Sequence, residues 1–309
     1  MDYEVLTPDH PNYPPRLRER MGAEAPVLHA RGALSHLSRW TMAFVTADVE
    51  PGGVIRAVWD VFFPVLEFEM NAVSGWQSVN EGVFLRSALD MPWISLTLFT
   101  ACGIERETYM SFLDYRHRPP QDSFVQRDEY ERRAAEGELL LISASEPTNR
   151  RQSREVIMRR NWLACHMADV VFIGGAERVS MQWSVEKRKL VPKKQKTYAL
   201  AKLLVKTGIP VFTVDHEDNR DLHALGIPGY NEKTVAAYLE SLGAHRTKTP
   251  ETSLRRGRLH ARARRTPCTP GRPSVRGPEV TPANETAVER EVQVELRPKT
   301  HRRLSTGTR

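Results

Sequence analysis

Three short clusters in the 309-residue sequence bring together residue types that bind anions. The first is Ala72-Val73-Ser74-Gly75, an apolar run that ends in Ser-Gly just before a helical segment starting near Ser78. A glycine at a strand-to-helix turn lets the backbone approach a ligand closely, and the amides of the next helical turn point at any anion placed there. The second is Arg159-Arg160-Asn161-Trp162, in a helix that leads directly into a strand at Asp169. Arginine offers a planar fork of donors suited to phosphate, asparagine adds amide donors, and Trp162 has a face on which a base can stack. Taken by itself, the segment reads better as a solvated helix face with Trp162 in the core, since a lone Trp in an amphipathic helix is usually packing. The third is Ser143-Ala144-Ser145-Glu146-Pro147, at the carboxyl end of a strand, where open α/β sheets bind ligands; it is also an ordinary turn.

The elements that must position these clusters alternate short apolar runs with segments of helical period. Strands are expected over 41–47, 71–74, 93–100, 138–143, 169–174 and 209–214. Helices are expected over 54–70, 78–90, 124–136, 154–167, 197–207 and 231–242, the last stopped by Gly243. The pattern predicts an α/β protein: a Rossmann-like open, mainly parallel sheet with helices on both faces. A Pro-rich lead-in (1–40) precedes the domain (41–244), and residues 245–309, poor in aliphatic side chains, form a disordered basic tail. A lysine-rich stretch, 184–196, is expected to loop out between strand and helix.

The formal charge of +7 is unevenly placed. Residues 245–309 hold 16 Lys/Arg against 6 Asp/Glu, so residues 1–244 carry a net −3. Any anion site in the body must therefore be local, built from amides or a few placed arginines. Cys102, Cys165 and Cys268 form no Cys-x-x-Cys pair, which supports neither a metal site nor a disulfide framework. The absence of a signal pattern and of long apolar runs points to a cytoplasmic protein without a membrane span. Complete P-loop, dinucleotide and nucleophile-elbow motifs are lacking, so no cofactor is expected. Glu50-Pro51-Gly52-Gly53 matches only part of a phosphoribohydrolase motif.

Taken in order, the pieces resemble the DNA-processing protein A (DprA/Smf) family over roughly residues 10–215. Tyr13-Pro14, Leu17, Pro26-Val27-Leu28 and Arg31-Gly32 resemble its "YP..L......P..L..RG" opening. Residues 72–89 resemble "SGxAxGID..AH..AL", with Ser74, Gly75, Ala88 and Leu89 matching. Ser145-Glu146-Pro147 matches "SE.P", and Arg160-Asn161 with Ala168-Asp169-Val170-Val171 matches "RNR......(S/A)D.vvV". The departures are specific. Asp48 stands where the family carries a first-strand arginine, Val79, Glu81 and Leu85 replace the second motif's glycine, aspartate and histidine, and Trp162 replaces the second arginine of Arg-Asn-Arg.

The resemblance implies a non-enzymatic, homodimeric protein that binds single-stranded DNA and assists a RecA-type recombinase in DNA uptake or recombination. On this reading Ser74, Gly75, Arg160 and Asn161 line one phosphate site, supported by Glu81, Ser145, Glu146 and Trp162. A nucleotide-ligand sensor or nucleotide hydrolase on the same scaffold is the alternative. A scaffold acting only through protein contacts is a third reading, favoured by the acidic body.

Overall fold

The computed structural model describes residues 3–47, 53–89, 91–105, 108, 132–151, 153–184 and 187–247. Twelve strands appear among them: β1 Glu4–Leu6, β2 Leu28–Gly32, β3 Thr41–Val45, β4 Phe68–Ser74, β5 Ile94–Phe99, β6 Leu139–Ser143, β7 Val170–Ile173, β8 Val179–Ser184, β9 Lys189–Lys194, β10 Val211–Val214, β11 Gly229–Tyr230 and β12 His245–Arg246. The main helices are α1 Pro15–Met21, α2 Val54–Val65, α3 Val79–Ala88, α4 Arg154–Met167, α5 Lys196–Leu204, α6 Arg220–His223 and α7 Val235–Ser241.

One large sheet runs in the order β1-β2-β6-β5-β4-β3-β7-β10-β11, parallel from β6 to β11 and antiparallel at the β1-β2-β6 end. Every residue of β3, β5, β6, β7 and β10 is buried. That explains why these strands are mostly apolar, with no charged residue and only small hydroxyl side chains among them: a parallel sheet covered on both faces has no solvent side for polar residues to occupy.

Alternate residues of each strand feed two cores. Met42, Phe44, Val170 and Phe172 face α2, α3 and α7, where Val58, Phe62, Phe84 and Leu239 pack. Ala43, Val45, Val171 and Ile173 face α1, α4 and α5, against Leu17, Leu163, Leu200 and Leu204. Helices on both faces are thus the physical consequence of a period-2 strand whose two sides are equally apolar. Among the described residues no helix is long and apolar enough to cross a membrane.

The structure departs from the expectations in several places. Helix α2 stops at Val65 and β4 begins at Phe68, so the single helix expected over 54–70 is a helix followed by a strand. Pro64 lies in the last turn and removes a backbone donor there, so only Val65 continues the helix beyond it. Residues 4–6 and 28–32 of the lead-in are strands of the main sheet, with Ala30 registered on Ile142. The lysine-rich stretch is no loop: β8 and β9 form an antiparallel hairpin from Val179↔Lys194 to Ser184↔Lys189. His245 and Arg246, at the start of the expected tail, pair with Glu69 and Phe68 of β4, while residues 248–309 lie outside the described residues. So does most of the helix expected over 124–136, of which 132–135 are described as helical.

Candidate nucleic-acid interface

The Ser74-Gly75 turn links β4 to α3. Helix α3 starts with a reciprocal capping box in which the Ser78 hydroxyl accepts from the Glu81 amide and the Glu81 carboxylate accepts from the Ser78 amide. Glu81 reaches further. Its Oε1 accepts from Thr46 N at 3.0 Å, at the end of β3, and its Oε2 accepts from Gln77 N at 2.8 Å. The amides expected to cradle an external anion are therefore turned onto a carboxylate belonging to the chain itself. Burial pushes the Glu81 carboxyl above its ordinary value, while the Arg160 charge and the amide donors of Thr46 and Gln77 oppose that rise.

Trp76 takes up a left-handed conformation (φ +52°) in this turn, unusual for a bulky residue. Its ring is buried, donates from Nε1 to Thr97 O at 3.0 Å and lies parallel to Phe84. Core packing thus holds the turn that aims the Gln77 and Ser78 amides at Glu81.

Arg160 crosses from α4 to the same turn. It is 4% exposed, donating from Nη1 to Phe99 O and from Nη2 to Gln77 Oε1, each at 3.0 Å. The guanidinium occupies the space beside Gly75, where a Cβ would fall 1.3 Å from Nη1. Gly75 thus admits an arginine of the same chain. The phase of α4 explains the burial: Arg160, Leu163, Ala164 and Met167 follow one another at i, i+3, i+4 and i+7, and all four are buried. Arg159, one residue away and about 100° around the helix, is only partly buried and makes no hydrogen bond or ion pair among the described residues.

Beyond the carboxyl ends of β5 and β6 opens a cleft of about 240 Å³. Its lining includes Thr100, Ser145, Glu146, Asn149, Arg159 and Arg160. Ser145 is fixed by donating from Oγ to Ala101 O at 2.8 Å. Glu146 is exposed at the rim. Helix α4 enters nearby, N-capped by Ser153, whose Oγ accepts from Val156 N at 3.2 Å. Exposed Arg150, Arg151 and Arg154 surround that end. With Arg159 they place four arginines outside the core against Glu155 within residues 150–159, a local cationic surface on a body of negative net charge.

The structure brings Ser74, Gly75, Glu81 and Arg160 into one buried cluster and sets Ser145, Glu146 and Arg160 on the cleft. Asn161 is half-buried and not part of the cleft lining. The half-buried Trp162 packs on the α1/α4/α5 core and against the His166 ring, with centroids 4.0 Å apart. Asp48, in place of the family's first-strand arginine, lies outside the described residues. Sequence reasoning named Arg159 in its second cluster but placed the site on Arg160, and passed over Asn149, although the apolar phase of α4 carried the signal that separates Arg159 from Arg160.

An open, mainly parallel sheet covered on both faces, with a polar cleft beyond its carboxyl edge, defines a Rossmann-like α/β protein. Its fold is that of DNA processing protein A. The Streptococcus pneumoniae protein superimposes with a TM-score of 0.54 at 16% identity, over 77% of this chain and 74% of that one. The Helicobacter pylori protein, solved for its unique single-stranded-DNA-binding mode, gives 0.53 at 16% identity, over 78% and 97%. No family model and no curated protein matches the sequence.

Proposed function

We propose that the chain is a divergent DprA-type protein that binds single-stranded DNA at the carboxyl edge of its sheet. Arg159 is the principal phosphate ligand, Ser145 and Asn149 add polar contacts, and the arginines at the start of α4 attract the backbone. The observation that carries this reading is Arg159: a guanidinium without an ion-pair partner among the described residues, lining a cleft on a fold shared with a single-stranded-DNA-binding protein. Arg160 is a positioning residue. By holding Phe99 O, at the end of β5, and Gln77, in the turn before α3, it fixes the floor of the cleft.

In this proposal the protein is a homodimer that works without chemistry of its own and assists a RecA-type recombinase in the cytoplasm. Partner, assembly and compartment rest on the family resemblance. Titration of labelled oligo-dT at fixed salt tests the site. Arg159→Ala is expected to weaken binding about tenfold, the scale of one charge-assisted phosphate contact. Wild-type affinity in Arg159→Ala removes the cleft from the proposal. Binding or turnover of free nucleotides in place of oligo-dT turns the reading into a nucleotide sensor or hydrolase.

A further inference from the structure

Among the described residues the β8–β9 hairpin stands apart from the main sheet, its two strands pairing with each other. A two-stranded ribbon is marginal alone, and this one is fixed at its root. Glu177 N donates to Gln195 Oε1 at 3.0 Å, Gln195 N donates to Arg178 O at 3.5 Å, and Arg178 N donates to Asp221 Oδ2 at 2.8 Å. Gln195 itself is 7% exposed. The root is thus tied to the body while six-residue strands extend from it over about 20 Å.

Residues 179–196, the hairpin and its root, contain Lys187, Arg188, Lys189, Lys193, Lys194 and Lys196 against one acidic residue, Glu186. Arg188, Lys189 and Lys193 are exposed and form no ion pair among the described residues. The hairpin leaves the carboxyl end of β7, on the same edge of the sheet as the cleft beyond β5 and β6. In the order β5-β4-β3-β7 the two strand ends are separated by three strand spacings, about 14 Å.

We propose that this hairpin is a second nucleic-acid contact, a basic arm that grips the sugar-phosphate backbone of a strand already seated in the cleft. The proposal rests on the single-stranded-DNA reading and extends it. A polyanion is the partner that fits, because residues 179–196 carry six Lys/Arg against the single acidic Glu186 on a body of net −3, and the exposed Arg188, Lys189 and Lys193 form no ion pair among the described residues. Lysines on an exposed strand edge also discourage pairing between copies of a chain, but that role affects aggregation and leaves the salt dependence of DNA binding unchanged.

The test compares the full-length wild type with Arg188→Gln/Lys189→Gln/Lys193→Gln, using oligo-dT of about 6 nucleotides, enough for the cleft alone, and of about 30 nucleotides. Removing three phosphate contacts is expected to lower the slope of log K against log salt by about 2 for the long oligonucleotide and to weaken its binding at least roughly tenfold. Binding of the short one stays within about twofold, and Lys189→Arg/Lys193→Arg, which keeps the charge, binds as wild type. An unchanged slope and affinity for the long oligonucleotide overturn the arm, as does an equal loss for both lengths. Arg159→Ala, titrated in parallel, separates the two readings: if it has no effect while the triple variant does, the cleft assignment fails and the arm stands. Failure of the wild type to bind either oligonucleotide overturns both.

Discussion

Gly75→Ala isolates the contact on which the buried cluster turns. The added Cβ would lie 1.3 Å from Arg160 Nη1, 2.0 Å from Cζ and 2.4 Å from Nη2, and these are its three nearest neighbours. Gly75 is not among the residues with positive φ, so the backbone itself accepts alanine. What cannot stay is the guanidinium. As the end of a flexible side chain beside the cleft it can swing outward, so the cost includes its bonds to Phe99 O and Gln77 Oε1 and the support its charge gives the Glu81 carboxylate, and no backbone clash is added. A net hydrogen bond from a charged donor contributes about 1.5–3 kcal/mol, and partial rehydration of the freed group offsets part of that. The expected destabilisation is about 2–4 kcal/mol, a substantial part of the ~5–15 kcal/mol that holds a typical domain together. Urea unfolding measures it as a lower midpoint at unchanged m. A double-mutant cycle then tests the cause: in an Arg160→Ala background, Gly75→Ala should cost under about 1 kcal/mol, because nothing remains for the Cβ to strike. If the glycine substitution costs as much without Arg160 as with it, the steric account is wrong.

Two further outcomes concern charge and the chain's end. Burial raises the Glu81 carboxyl above its ordinary 4.5, so the native state holds that proton more tightly than the unfolded chain, and ionising Glu81 lowers stability as pH rises from 4.5 through the folded value. Glu81→Gln loses this dependence: whatever its constant offset, its stability relative to wild type should climb as pH is raised above 4.5, and a pH-independent difference in urea midpoints would contradict the assignment. Arg246 donates from Nε to Glu67 Oε2 at 2.9 Å and also from Nη2, within a strand paired to β4. Truncation after Thr247 should therefore leave the melting temperature nearly unchanged, whereas truncation after Ala244 should cost about 1 kcal/mol, the half-exposed arginine limiting the ion-pair share. Equal melting temperatures for the two truncations would show that β12 contributes nothing.

Much of the architecture was legible because its cause is local. Met42 to Val45 and Val170 to Ile173 are apolar at every position, and Val211 to Val214 at all but Thr213, and only a strand buried on both faces needs that. Gly243 adopts the left-handed conformation (φ +84°) expected of a residue that stops a helix. The phase of α4 was also present in the sequence, since Leu163, Ala164 and Met167 define a stripe that includes Arg160 and leaves out Arg159. The residue types of the site were likewise readable, with Ser74, Gly75, Arg160 and Ser145 all standing at strand ends or on the helix that serves them.

Tertiary structure decided what each of those residues touches. Arg160 and Gly75 are 85 positions apart in the sequence, and only the packing of α4 beside β4 shows that the glycine makes room for the guanidinium. Glu81 closes the capping box with Ser78 over three residues of local chain, yet its second role, receiving the Thr46 amide from the end of β3, depends on β3 and β4 being neighbours in the sheet. The hairpin escaped a local reading because lysines and Pro192 break the apolar alternation that marks a strand, so its order depends on pairing between segments and a fixed root. Sequence sets local conformation and which faces are apolar through propensity and periodicity; the partners of a buried charge are set by which elements pack together, and here that turned an expected anion cradle into a closed internal cluster and moved the open cationic group one residue along the helix, to Arg159.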